Sequence, residues 1–175
     1  NASTSSDCAD PRSIAAVQDS PFSLDGRIAV VTGGSGVLGS AMARALARSG
    51  ARVALLGRTA AKLHATAARI RAEGGEAVGI AADVLSREAL LRARDELLTA
   101  LGPPDVLVLA AGGNRPGATI PPDRSVFDLD EAEFDAVVDL NLKGPLLPTL
   151  ALAPALAARG RGSIVPISSM AASRP

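Results

Sequence analysis

The sequence predicts an α/β fold, a doubly wound parallel sheet flanked by helices. Three observations carry that expectation. Apolar runs of strand length alternate with amphipathic stretches of helical length along most of the 175 residues. The first such pair is joined by a run of glycines. Regular strand–helix alternation favours parallel strands, and right-handed crossovers between them place helices on both faces.

The elements follow in order. RIAVVT (27–32) reads as a buried strand, and GSAMARALARSG (39–50) as a helix ended by Gly50. RVALLG (52–57) is a second strand. Thr59 stands as the N-cap of a helix that stops at the Gly74–Gly75 pair. EAVGIAAD (76–83) is a third strand, and Ser86 caps the helix that follows. PDVLVLAAGG (104–113) is a fourth strand running into a glycine turn. Asp130 and Glu133 have the spacing of a capping box for a fourth helix through Gly144. That helix continues into a stretch where Pro145, Pro148 and Pro154 should kink or interrupt it. GSIVPISS (162–169) is a fifth strand, although Pro166 has no donor for its ladder. Residues 1–21, small and polar, are expected to form a disordered extension ahead of one domain over 22–175.

Composition excludes several classes of function. Eighteen basic and eighteen acidic residues balance, which gives no electrostatic case for nucleic acid or an anionic membrane. With three Phe and no Trp or Tyr, base-stacking platforms are disfavoured. One cysteine, Cys8, forbids an intrachain disulfide. No apolar run is long enough to span a bilayer, and no metal site is expected. A cytoplasmic protein acting on a small molecule is the expectation.

The chemistry concentrates in TGGSGVLG, residues 32–39. Gly34, Gly36 and Gly39 spell G-x-G-x-x-G. Thr32, Gly33, Gly36 and Gly39 spell T-G-x-x-G-x-x-G. Either way, glycines between a strand and a helix let backbone approach a pyrophosphate, and the helix N-terminus offers it free N–H groups. Ser35, Val37 and Leu38 belong to the same turn. The fold expected is therefore of Rossmann type. The second strand ends in Gly57-Arg58-Thr59 with no carboxylate to hold ribose hydroxyls. An arginine there attracts a 2′-phosphate, so NADP is favoured, with NAD the alternative. Arg58 can also be read as a solvated surface side chain. Asp83 is placed to meet an adenine edge, or to cap the next helix.

With TGGSGVLG, ADV (82–84), LAAGG (109–113), NLKG (141–144) and SIVPISS (163–169) in this order and spacing, the chain resembles the short-chain dehydrogenase/reductase family from Phe22 onward. The stretches AGGNRPGAT, FDLDEAEF and ISSMAASRP resemble its D-mannonate (fructuronate) oxidoreductase-like members. The resemblance implies hydride transfer between a nicotinamide and a secondary alcohol or ketone, here a sugar acid. It implies that Ser169 hydrogen-bonds the substrate oxygen and that Asn141 organises a water and proton relay. It places Gly33, Gly36, Gly39, Asp83, Val84, Ala111 and Gly112 against the cofactor, and makes the full-length protein a homo-oligomer. Without the resemblance, Ser169 reads as a turn serine and Asn141 as a residue bonding back into its own helix.

Three departures stand out. Val37 occupies a position that is glycine in compact members, as in the extended branch that includes sugar-nucleotide epimerases. Leu109-Ala110-Ala111-Gly112 replaces Asn-Asn-Ala-Gly, and Pro166 replaces an asparagine. The family's Tyr-x-x-x-Lys acid/base pair is expected about a dozen residues after Ser169. The sequence has no tyrosine, and its lysines are Lys62 and Lys143. The chain is thus expected to be the front half or two-thirds of an enzyme, C-terminally incomplete, inactive alone and poorly stable. The alternatives are a non-catalytic nucleotide-binding module and an epimerase fragment.

Overall fold

The computed structural model describes residues 22–169. Cys8 and the extension expected over 1–21 lie outside the described residues. Five strands form one parallel sheet: β1 (Ile28–Thr32), β2 (Arg52–Gly57), β3 (Glu76–Ala81), β4 (Val106–Leu109) and β5 (Ser163–Pro166). Their order is β3-β2-β1-β4-β5. The chain therefore steps outward from β1 to β3, crosses back, and continues outward from β4 on the other side.

Alternating side chains of the strands feed two cores. Ala29, Val31, Val53 and Leu55 pack against α1 (Val37–Arg48) and α2 (Ala60–Ala72), through Ala43, Leu63 and Ile70. Ile28, Val30, Leu56 and Leu107 pack on the opposite face against α3 (Arg87–Ala100) and α5 (Gly144–Ala158), through Leu90, Leu97 and Leu152. Burial on both faces explains why β1, β2 and β4 are unbroken apolar runs rather than alternating ones. A shorter helix, α4 (Glu131–Val138), sits above the C-terminal edge and leads into α5.

Several local expectations are corrected. β4 is four residues and ends at Leu109, and the segment after it is irregular. Thr59 holds the N-cap position of α2, but its side chain makes no capping bond. Ser86 does cap α3, accepting from the Ala89 N–H at 3.3 Å. Asp130 accepts from the N–H groups of Ala132 and Glu133, yet Glu133 turns to Arg115 at 2.9 Å instead of closing the box. The capping box of this region lies upstream, between Ser125 and Asp128.

The prolines do not break α5. Between α4 and α5 the backbone widens into a π-helical turn, Asp139–Lys143, in which the Gly144 N–H reaches the Asp139 carbonyl. Pro145 follows directly on this widened turn, in the first turn of α5, and Pro148 and Pro154 are carried inside the helix. Pro166 is tolerated for a directional reason. Ser163 and Ile167 donate to Asp105 and Leu109 on the β4 side, at 2.9 and 3.1 Å. Alternation then turns the Pro166 nitrogen away from β4, toward the open side of what is, among the described residues, an edge strand.

Candidate functional site: a cavity at the sheet's switch point

The point where strand order reverses, between β1 and β4, is where an open parallel sheet leaves a crevice at its carboxyl edge. A cavity of about 630 Å3 lies there. The glycine turn forms its floor. Gly33 has φ +66°, a left-handed conformation that only glycine adopts freely, and a Cβ on it would stand 2.9 Å from the Ala110 carbonyl oxygen. A Cβ on Gly39 would overlap the Gly33 carbonyl. The Gly36 N–H closes the turn onto Gly33 O at 2.8 Å.

This geometry settles which glycine spelling matters. Gly33, Gly36 and Gly39 line the cavity. Gly34 instead packs beneath it, where a Cβ would come within 2.9 Å of Leu55. Val37 has negative φ as the first residue of α1, so the departure from glycine costs no backbone strain. Its side chain stands exposed at the rim with that of Leu38. Among the described residues, no side chain caps α1, and no acceptor takes the N–H groups of Val37, Leu38 or Gly39.

The strand exits furnish the walls. From β2 come Gly57, Arg58 and Thr59, joined by Lys62 one turn into α2. Among the described residues, neither Arg58 nor Lys62 has an ion-pair partner. Ser35 is close by, with its Oγ 3.9 Å from where a Gly57 Cβ would lie. From β3 come Asp83, Val84 and Leu85. Asp83 Oδ1 accepts from the Leu85 N–H at 2.9 Å, so one carboxylate oxygen is engaged in a local turn. From β4 come Ala110, Ala111 and Gly112, and Arg115 follows from the next loop.

Every residue predicted to touch a cofactor lines this cavity except Thr32. Thr32 is fully buried, and its Oγ1 accepts from the Ala111 N–H at 3.0 Å. It fixes the exit of β4 to the exit of β1. Asn141 acts one layer further out. It lies in the π turn, where Nδ2 donates to Gly113 O at 2.7 Å and to Val137 O at 2.9 Å, while Oδ1 accepts from Gly113 N at 3.1 Å. Together Thr32 and Asn141 order the loop that follows β4. Ser169 is exposed, three residues past β5, outside the cavity lining.

Sequence reasoning missed Lys62 and Arg115 as cavity residues. Lys62 had a signal, since it follows Arg58 by four residues into a helix. Arg115 had none, because its placement depends on Glu133, eighteen positions away. Among the described residues, no group of three potential metal ligands gathers anywhere, and no helix is long and apolar enough to cross a membrane.

Comparison with known proteins fits this architecture. The short chain dehydrogenase family model matches residues 27–175. The oxidoreductase UxuB of Bacillus subtilis is 43% identical over 160 residues, which cover 87% of this chain and 58% of that protein. An oxidoreductase of Haemophilus influenzae is 34% identical, over 87% of this chain and 57% of its own length. Among solved structures, a "putative D-Mannonate oxidoreductase from Haemophilus influenza" with bound NAD superposes with TM-score 0.80 at 34% identity, covering 88% of this chain and 59% of that one. A metagenomic short-chain oxidoreductase in complex with NADP gives TM-score 0.76 at 41% identity, covering 87% and 66%. The chain belongs to the short-chain dehydrogenase/reductase family, and spans a little over half the length of the curated relatives just described.

Proposed function

We propose that the protein carrying this chain is an NAD(P)-dependent oxidoreductase that prefers NADP and acts on a secondary alcohol or ketone of a sugar acid. The observation that carries the cofactor reading is the uncapped N-terminus of α1, opening onto a glycine floor that side chains would fill. A pyrophosphate is the natural acceptor for the N–H groups of Val37, Leu38 and Gly39. Arg58 and Lys62, unpaired among the described residues, suit a 2′-phosphate together with Ser35 and Thr59. Asp83 has a carboxylate oxygen left for the exocyclic amine of adenine.

A nicotinamide dinucleotide, when bound, supplies the hydride donor or acceptor. The chain's own residues bind and orient. By family resemblance Ser169 hydrogen-bonds the substrate oxygen. Asn141 supports the relay by holding Gly113 in place, since its amide is engaged with backbone. The sugar-acid substrate is supported by the likeness of AGGNRPGAT to mannonate oxidoreductase-like members and by the name of the Haemophilus structure. Because the sequence has no tyrosine, this chain alone is expected to bind dinucleotide without turnover.

Calorimetric titration of the chain with NADP+ and NAD+ tests the reading. NADP+ should bind at least about tenfold tighter, and Arg58→Asp should remove that advantage. If neither dinucleotide binds, the reading fails. If the NADP+ preference survives Arg58→Asp, the assignment of Arg58 fails.

A further inference from the structure

We infer that Arg115 is a specificity-determining residue that recognises the carboxylate of the substrate. The inference rests on the oxidoreductase reading and adds the group that makes the substrate an acid. Strand order puts the exits of β2 and β4 on opposite sides of the glycine floor at β1. Arg58 and Lys62 line the β2 side, while Arg115 is the cation lining the cavity from the β4 side. The β4 side is also where Ser169 follows β5, held alongside by the Ile167 N–H donating to Leu109 O at 3.1 Å.

Arg115 is held in place before any ligand arrives. Its N–H donates to Asn114 Oδ1 at 2.8 Å, and its carbonyl accepts from Thr119 Oγ1 at 3.1 Å. Its Nη1 donates to Glu133 Oε1 at 2.9 Å. Gly117 lets the loop lie on α4, since a Cβ there would stand 2.7 Å from Glu133 Cγ. A guanidinium offers two forks of parallel donors. Glu133 uses Nη1, so the side-on fork of Nε and Nη2 keeps both donors. That fork matches the two oxygens of a carboxylate. Of the acids lining the cavity, Asp139 pairs with Lys143 at 2.6 Å, which offsets its charge toward an incoming anion, and Asp83 enters from the β3 side.

The test compares D-mannonate with D-mannitol, its uncharged counterpart, in titrations of the chain saturated with NADP+. The acid should bind at least about tenfold tighter than the polyol. Arg115→Gln should bring the two within about twofold, and Arg115→Lys should restore part of the difference. The NADP+ affinity of both variants should stay within about twofold of the parent, which separates this role from cofactor binding. Equal binding of acid and polyol by the parent chain, or binding of neither, overturns the inference without any variant. So does an acid preference that survives Arg115→Gln, or a larger loss of NADP+ affinity in that variant. If NADP+ does not bind the parent, the oxidoreductase reading fails first, and the two failures are distinct.

Discussion

The two ends of the sheet are built on opposite rules. At the amino end the one buried carboxylate among the described residues, that of Asp105, is fully partnered. Asp105, 4% exposed, accepts from the Ile28 N–H at 3.0 Å and faces Arg27 and Arg159 at 3.3 Å and Arg161 at 3.7 Å. Its backbone bonds Ile28 O and the Ser163 N–H, so one residue ties the starts of β1, β4 and β5. At the carboxyl end, Arg58 and Lys62 lack ion-pair partners among the described residues, and no described side chain caps α1 or α2. Groups satisfied within the chain hold the fold. Groups left open at one place are what a ligand can satisfy. Changes at the carboxyl end should therefore move binding, and changes at the amino end should move stability.

The largest expected effect is at the glycine floor. Gly39→Ala places a methyl against the Gly33 carbonyl, backbone that cannot swing aside as a side chain would. The turn must shift, at a cost of ~1–3 kcal/mol. Dinucleotide affinity should fall by up to about 100-fold. Calorimetry checks this, with circular dichroism showing the same helix content. Affinity within a few-fold of the parent breaks the claim that close packing of this turn makes the site.

Asp105→Ala is the counterpart at the other end. It leaves the buried Ile28 N–H without an acceptor and removes the shared partner of three arginines, which are partly solvated and so tolerate the loss in part. A loss of about 2–3 kcal/mol in urea unfolding is expected, with NADP+ affinity unchanged. A variant as stable as the parent, or one that folds but loses NADP+, contradicts the division between the ends.

Much of the amino-to-carboxyl plan was legible, because it is periodic or local. Buried strands, helix stops at glycine and the strand–turn–helix signature each depend on neighbours within a few residues. What was not legible arises through space. Thr32 reads as part of the cofactor turn, but its hydroxyl serves Ala111, 79 positions on. Glu133 has the spacing of a capping box, but a loop arginine competes for it successfully. Pro148 and Pro154 look like breaks, yet burial of Ala151, Leu152 and Leu156 holds the helix together around them. The π turn belongs with these. It holds Asn141 against Gly113, a pairing that sequence distance conceals.

The smallest expected effects come from two helix starts that look alike in sequence. Ser86 and Thr59 both precede amphipathic helices at the carboxyl edge, but only Ser86 makes a capping bond. Ser86→Ala should destabilise the fold by ~1 kcal/mol. It should leave NADP+ affinity alone, because Ser86 does not line the cavity. Thr59→Ala removes no hydrogen bond of its side chain, so stability should change by less than about 0.5 kcal/mol. Thr59 does line the cavity beside Arg58, so NADP+ affinity should weaken a few-fold while NAD+ affinity holds. Thermal melts and titrations on the two variants would thus cross, one moving only stability and the other only binding. If Thr59→Ala costs as much stability as Ser86→Ala, the threonine is a cap after all, and the open edge of the sheet begins one residue later than Thr59.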